Sequence, residues 1–240
     1  MPRRLLLVSS SRCHPHKYLD HCEAEMRRLF AGVREIVFVP YARPAGNTHE
    51  QYTAVARGRF EQMGFGLRGV HEFADPRAAV AAAEGVFIGG GNTFVLLRDL
   101  YEHDLVARLQ ERIAAGMPYA GTSAGSNVAG VSIGTSNDMP IVHPPSYAAL
   151  GIVPFNINPH YPHRPPDITH KGETREDRIR EFHFFNTQPV VALHEDGMLR
   201  IDDAEITLVG QRNALVFRPG QDAEAIPPGI VPACVLQASP

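Results

Sequence analysis

From the N-terminus to residue 121, short apolar runs alternate with amphipathic stretches, and this alternation confines the chain to βαβ units around a mostly parallel sheet. The runs at 4–9, 35–40, 67–72, 85–89 and 117–121 read as strands, the first of them buried on both faces. Between the first two, Leu19, Cys22, Met26 and Leu29 recur at helical spacing. Asn47 or Thr48 caps a second helix, with Tyr52, Val55, Phe60 and Met63 assigned to its buried face. Asp75-Pro76 supplies an N-cap followed by proline at the first helical position. A further helix spans 104–115 and stops at Gly116.

After Ser126 the texture changes. Residues 130–170 are rich in Gly, Pro, Asn and His and are expected to form loops and short strands over one end of the sheet. Helical character resumes at 174–186, a buried strand follows at 189–194, and short strands are expected at 198–201, 206–210 and 214–218. Without an internal repeat or a linker, the 240 residues are assigned to one α/β domain, 1–240.

The formal net charge of −3 is spread without a basic stripe, which argues against nucleic acid and anionic membrane as partners. The basic N-terminus precedes an apolar run that ends at Ser9, too short for a signal peptide, and no stretch can span a bilayer. Three cysteines, Cys13, Cys22 and Cys234, without CxxC spacing point to a reducing, cytoplasmic compartment. A homodimer is left open.

Gly121-Thr122-Ser123-Ala124-Gly125 sits between a strand and a run able to start a helix. A G-x-S-x-G there marks a nucleophile elbow, where small neighbours let a serine take a strained backbone and the helix N-terminus faces developing negative charge. Its hydroxyl needs a base to accept its proton and a third group to orient that base. Of the 12 histidines, His14, His16 and His21 gather near Cys13 and Cys22, but no carboxylate pattern completes a metal site and a solvated loop is expected. His49, His71 and His103 are placed on element surfaces. His160 closes a strand-like run, 151–160, where α/β folds place reactive groups, with His194 as its rival. Upstream, Gly89-Gly90-Gly91-Asn92-Thr93 follows a strand, precedes a helix and forms a backbone nest suited to an oxyanion.

Five segments in collinear order carry a resemblance: 89–94, 123–125, 137–142, 156–160 and 170–176, together with Val37-Phe38-Val39-Pro40. The chain resembles peptidase E, the α-aspartyl dipeptidase family of serine peptidases, over nearly its whole length. The resemblance implies a class I glutamine amidotransferase-like (flavodoxin-like) α/β fold with serine in place of the nucleophilic cysteine. It implies a triad of Ser123, His160 and Glu195, an oxyanion hole from the N–H groups of Gly91 and Ala124, and no metal or organic cofactor. Small peptides carrying N-terminal aspartate are the implied substrates. The chain departs from the family pattern at His194, just before the glutamate, and in a Pro- and His-rich stretch between His160 and His170.

Recognition of an aspartate side chain calls for a cation, and Arg175 is the leading candidate, with Lys171 and His170 as alternates and Asn92 nearby. Asp138 competes with Glu195 for the third triad position and is otherwise a capping or substrate-facing group. An α/β-hydrolase triad could be assembled from Ser123, His194 and either Asp167 or Asp138, but it leaves the glycine nest and His160 without a role. A cyanophycinase-like hydrolase and a catalytically silent peptide-binding module are the remaining alternatives.

Overall fold

A computed structural model describes residues 3–43, 46–162 and 172–236. Five parallel strands form the middle and one side of an eight-stranded sheet: β1 (Arg4–Val8), β2 (Glu35–Val39), β3 (Gly66–Gly69), β4 (Val86–Ile88) and β5 (Tyr119–Thr122). Their spatial order is β3-β2-β4-β5-β1, and β8 (Met198–Asp202), β9 (Glu205–Val209) and β12 (Gly229–Ile230) extend the sheet beyond β1 in antiparallel fashion.

Alternation along each strand divides the core between the two faces. Leu6, Val8, Ile36, Phe38, Phe87 and Ala120 pack on one face against Met26 and Leu29 of α1 (Glu23–Leu29) and Tyr52 and Phe60 of α2 (His49–Gln62). Leu5, Leu7, Val37, Val39 and Ile88 face the other way, onto α3 (Pro76–Ala82), α4 (Thr93–Glu102) and α5 (Leu105–Ala114). Both helix N-cap expectations hold: Thr48 accepts from Gln51 N–H in a capping box, and Asp75 accepts from Arg77 N–H ahead of Pro76. Gly116, at φ 99°, follows the end of α5 as expected.

Three local expectations are corrected. The third strand stops at Gly69, and Val70–Glu72 turns as a 3-10 helix. Val55 is half-exposed, so the buried stripe of α2 is Tyr52, Ala56 and Phe60. His49 and His71 are partly buried and their rings lie 5.5 Å apart, with His49 also against Tyr41.

The C-terminal strands do not form one set. A second, four-stranded sheet takes β6 (Asn156–Asn158), β7 (Val190–Ala192), β10 (Ala214–Phe217) and β11 (Glu224–Ile226) in the order β11-β10-β7-β6. Only β6 and β7 are parallel in it. One continuous apolar cluster joins Leu7 and Ile88 of the large sheet to Val191 and Val216 of the small one. Buried Asn156 and Asn158 stitch the preceding irregular segment to β6: Asn156 Oδ1 accepts from Ser132 N–H and Asn158 Nδ2 donates to Thr135 O. The helix expected at 174–186 is α7 (Arg175–Phe182), which begins one residue later and ends four residues earlier than its pattern suggested. No helix among the described residues is long and apolar enough to cross a membrane.

Candidate active site

Each candidate group sits just past the C-terminal end of a parallel strand: 9–12 after β1, the glycine nest after β4, Ser123 after β5, His160 after β6 and Glu195 after β7. This is where open parallel sheets place their ligand crevices.

Ser123 joins β5 to the short α6 (Ala124–Asn127) with φ 52° and ψ −109°, a conformation that side chains rarely adopt. The turn is closed from several sides. Ser123 N–H donates to Val8 O at 3.0 Å, Ser126 Oγ donates to Val8 O and Gly121 O, and the Tyr119 hydroxyl donates to Gly125 O. A Cβ on Gly121 would lie 2.4 Å from Gly125 O, and one on Gly125 would lie 2.2 Å from Ile88 O. Both glycines of the motif are therefore demanded by close backbone approach.

Ser123 Oγ lies 2.8 Å from His160 Nε2, and His160 Nδ1 lies 2.7 Å from Glu195 Oε1. His160 itself has φ 57°, and its loop is pinned twice. Its N–H donates to Ser9 Oγ, which donates in turn to Leu193 O. Arg175 Nη1 donates to His160 O at 2.8 Å and Pro159 O at 3.0 Å. Arg175 is the first residue of α7, where Thr174 and Asp177 form a capping box, and burial followed by nearby Arg178 lowers its pKa.

The glycine nest wraps the nucleophile. Gly90 approaches so closely that a Cβ there would lie 3.0 Å from Ser123 Cβ, while Gly91, at φ 142°, leaves no room for a Cβ against Ala42 O. Among the described residues nothing accepts a hydrogen bond from the N–H of Gly91 or of Ala124. Asn92 caps α4 through Phe94 and Val95 N–H and donates to Met139 O. Asp138 accepts from Thr93 N–H and Thr93 Oγ1 on the same helix end. Asn92 and Asp138 thus clamp the far side of the nest, and it is Glu195, not Asp138, that the structure brings to His160. His194 turns away, its Nδ1 2.9 Å from Tyr161 O. Asp167, His170 and Lys171 lie outside the described residues.

A cavity of about 390 Å³ opens over the serine, lined by Ser11, Arg12, Tyr18, Asn47, Tyr52, Val55, Gly90, Gly91, Ser123 and His160. Sequence reasoning missed most of this wall. Ser9-Ser10-Ser11-Arg12, a polar run at a strand's C-terminal end, was the available signal. Tyr52, assigned only to the core, packs its hydroxyl against Gly89, and burial pushes its phenol up to about 12. In the cysteine and histidine loop His14 and His16 are exposed, and no group of three or more His, Cys, Asp or Glu that could hold a metal ion occurs among the described residues.

The chain has relatives among known proteins. The chain is 45% identical over 229 residues to a Drosophila melanogaster protein named "Probable alpha-aspartyl dipeptidase", covering 94% of each. It is 46% identical over 216 residues to the peptidase E of Streptomyces coelicolor, covering 90% of this chain and 88% of that one. The solved structure of a peptidase from an acI-B1 Actinobacterium shares the fold with a TM-score of 0.71 at 15% identity, covering 95% of both chains. The model of peptidase family S51 matches residues 5–209, from β1 to the end of β9 and across every group described above, and the chain is a hydrolase belonging to that family.

Proposed function

We propose that this chain is a serine peptidase that hydrolyses dipeptides with N-terminal aspartate through an acyl-enzyme. The observation that carries this reading is the unbroken relay from Ser123 Oγ to His160 at 2.8 Å and from His160 to Glu195 at 2.7 Å. The aspartyl preference is supported by the name of the Drosophila relative.

Ser123 attacks the scissile carbonyl as His160 Nε2 takes its proton. Glu195 holds the ring with Nδ1–H toward the carboxylate and stabilises the imidazolium that forms. The tetrahedral oxyanion develops beside Gly91 and Ala124, whose N–H groups are without other acceptors among the described residues. Loss of one such donor typically lowers kcat roughly 100- to 1000-fold. His160 then protonates the leaving amine, and water, activated by the same base, releases aspartate. Arg175 is assigned to the aspartate side chain, since a guanidinium grips a carboxylate by two parallel hydrogen bonds.

Hydrolysis of Asp p-nitroanilide beside its Asn, Glu and Leu analogues tests the substrate, and Ser123→Ala tests the nucleophile. The expected result is turnover of the Asp compound alone and its loss in the variant, with an unchanged thermal unfolding midpoint. Full activity in Ser123→Ala would refute the mechanism.

A further inference from the structure

Among the described residues that line the cavity over Ser123, Arg12 is the only Lys or Arg, and none of them is Asp or Glu. The Arg12 side chain makes no hydrogen bond or ion pair with any described residue, while nearly every other described arginine has at least one. Its backbone is fixed: Ser10 Oγ donates to Arg12 O at 2.6 Å and accepts from Arg12 N–H at 3.2 Å, and Ser10 is itself buried. The adjacent phenols do not neutralise it. Burial keeps Tyr18 and Tyr52 above their ordinary range, against the pull of the Arg12 charge. A guanidinium without a partner among the described residues, in a cavity where none of them supplies a carboxylate, is matched to an anionic ligand.

The side of the cavity identifies which anion. His160 must deliver its proton to the leaving amine, so the leaving residue occupies the space on the histidine's side of Ser123. The 9–12 segment borders that side, because Ser9 Oγ holds the backbone N–H of His160. Arg175, by contrast, is not among the residues lining this cavity, and its Nη1 is bound to the carbonyls behind His160.

We infer that Arg12 holds the free α-carboxylate of the leaving residue and is the residue that restricts this enzyme to dipeptides. The inference rests on the peptidase reading above and adds to it a determinant on the leaving-group side. A substrate whose leaving residue continues as a longer peptide, or ends in an amide, offers Arg12 no anion.

The test compares kcat/KM for Asp-Leu, Asp-Leu amide and Asp p-nitroanilide in the wild type, Arg12→Ala and Arg12→Lys. Wild type is expected to favour Asp-Leu over its amide by roughly 10- to 100-fold, the range of a charge-assisted hydrogen bond. Arg12→Ala should bring that ratio close to one, mainly through KM for Asp-Leu, and Arg12→Lys should restore part of it. The inference is overturned if wild type shows no preference, or if the preference persists in Arg12→Ala. It is also overturned if Arg12→Ala lowers both substrates equally, which would place the arginine on the aspartate side chain or in the loop's stability. Failure of the wild type on all three compounds brings down the peptidase reading and this inference with it. Turnover of Asp p-nitroanilide without a preference brings down this inference alone.

Discussion

The serine at the elbow is held in its strained backbone by neighbours that have no side chains. Gly125→Ala would drive a Cβ to 2.2 Å from Ile88 O, a backbone atom that cannot swing aside. Such overpacking should cost about 1–3 kcal/mol and misplace Ser123, so both the unfolding midpoint and hydrolysis should fall. Gly58, within α2, has nothing within 4 Å of its would-be Cβ, and Gly58→Ala should stabilise by about 1 kcal/mol. Equal effects at the two positions would refute the steric account. This contrast also explains what was legible in the sequence. The elbow is a local constraint and leaves a local pattern. Arg12 matters through the cavity it lines, and no spacing in the sequence records that its loop folds over Ser123.

At the scale of elements, α7 supports the site from behind: its capping box sets Arg175 at the first helical position, where Nη1 reaches the carbonyls of Pro159 and His160. Arg175→Ala should therefore lower kcat as well as raise KM for Asp-Leu, because the strained His160 loses its tether. Steady-state kinetics separate the two, and a change confined to KM would limit Arg175 to substrate contact. The parallel strands were readable because each is a continuous apolar run that must be covered on both faces. The sorting of the later strands was not. Residues 198–202 pair with β1 and residues 214–217 pair with β7, and those pairings depend on partners more than twenty residues distant. The same holds for Val55, which has an apolar side chain in helical register but faces a cavity assembled from other elements.

For the molecule as a whole, burial shapes the response to acid. His21, His49 and His183 each have a pKa lowered, first by burial; His16 adds to this at His21, and His71 at His49. A histidine held below its unfolded value, about 6.5, binds fewer protons folded than unfolded as the pH falls. Its contribution is present above that value and is lost as pH falls through the lower folded value. Thermal unfolding should accordingly show a lower midpoint at pH 5 than at pH 7.5, and a midpoint that rose on acidification would contradict the assignment. Asp196 acts in the same direction: despite burial, hydrogen bonds from Gln211 N–H and Arg212 lower its pKa, so acid also weakens the turn that carries Glu195.

The relay bridges two sheets. Ser123 belongs to the eight-stranded sheet, while His160 and Glu195 follow β6 and β7 of the four-stranded one. The single hydroxyl of Ser9 clasps the two at the end of β1. During refolding, then, neither sheet could gain activity alone, and the return of hydrolysis would time the moment at which the two halves dock.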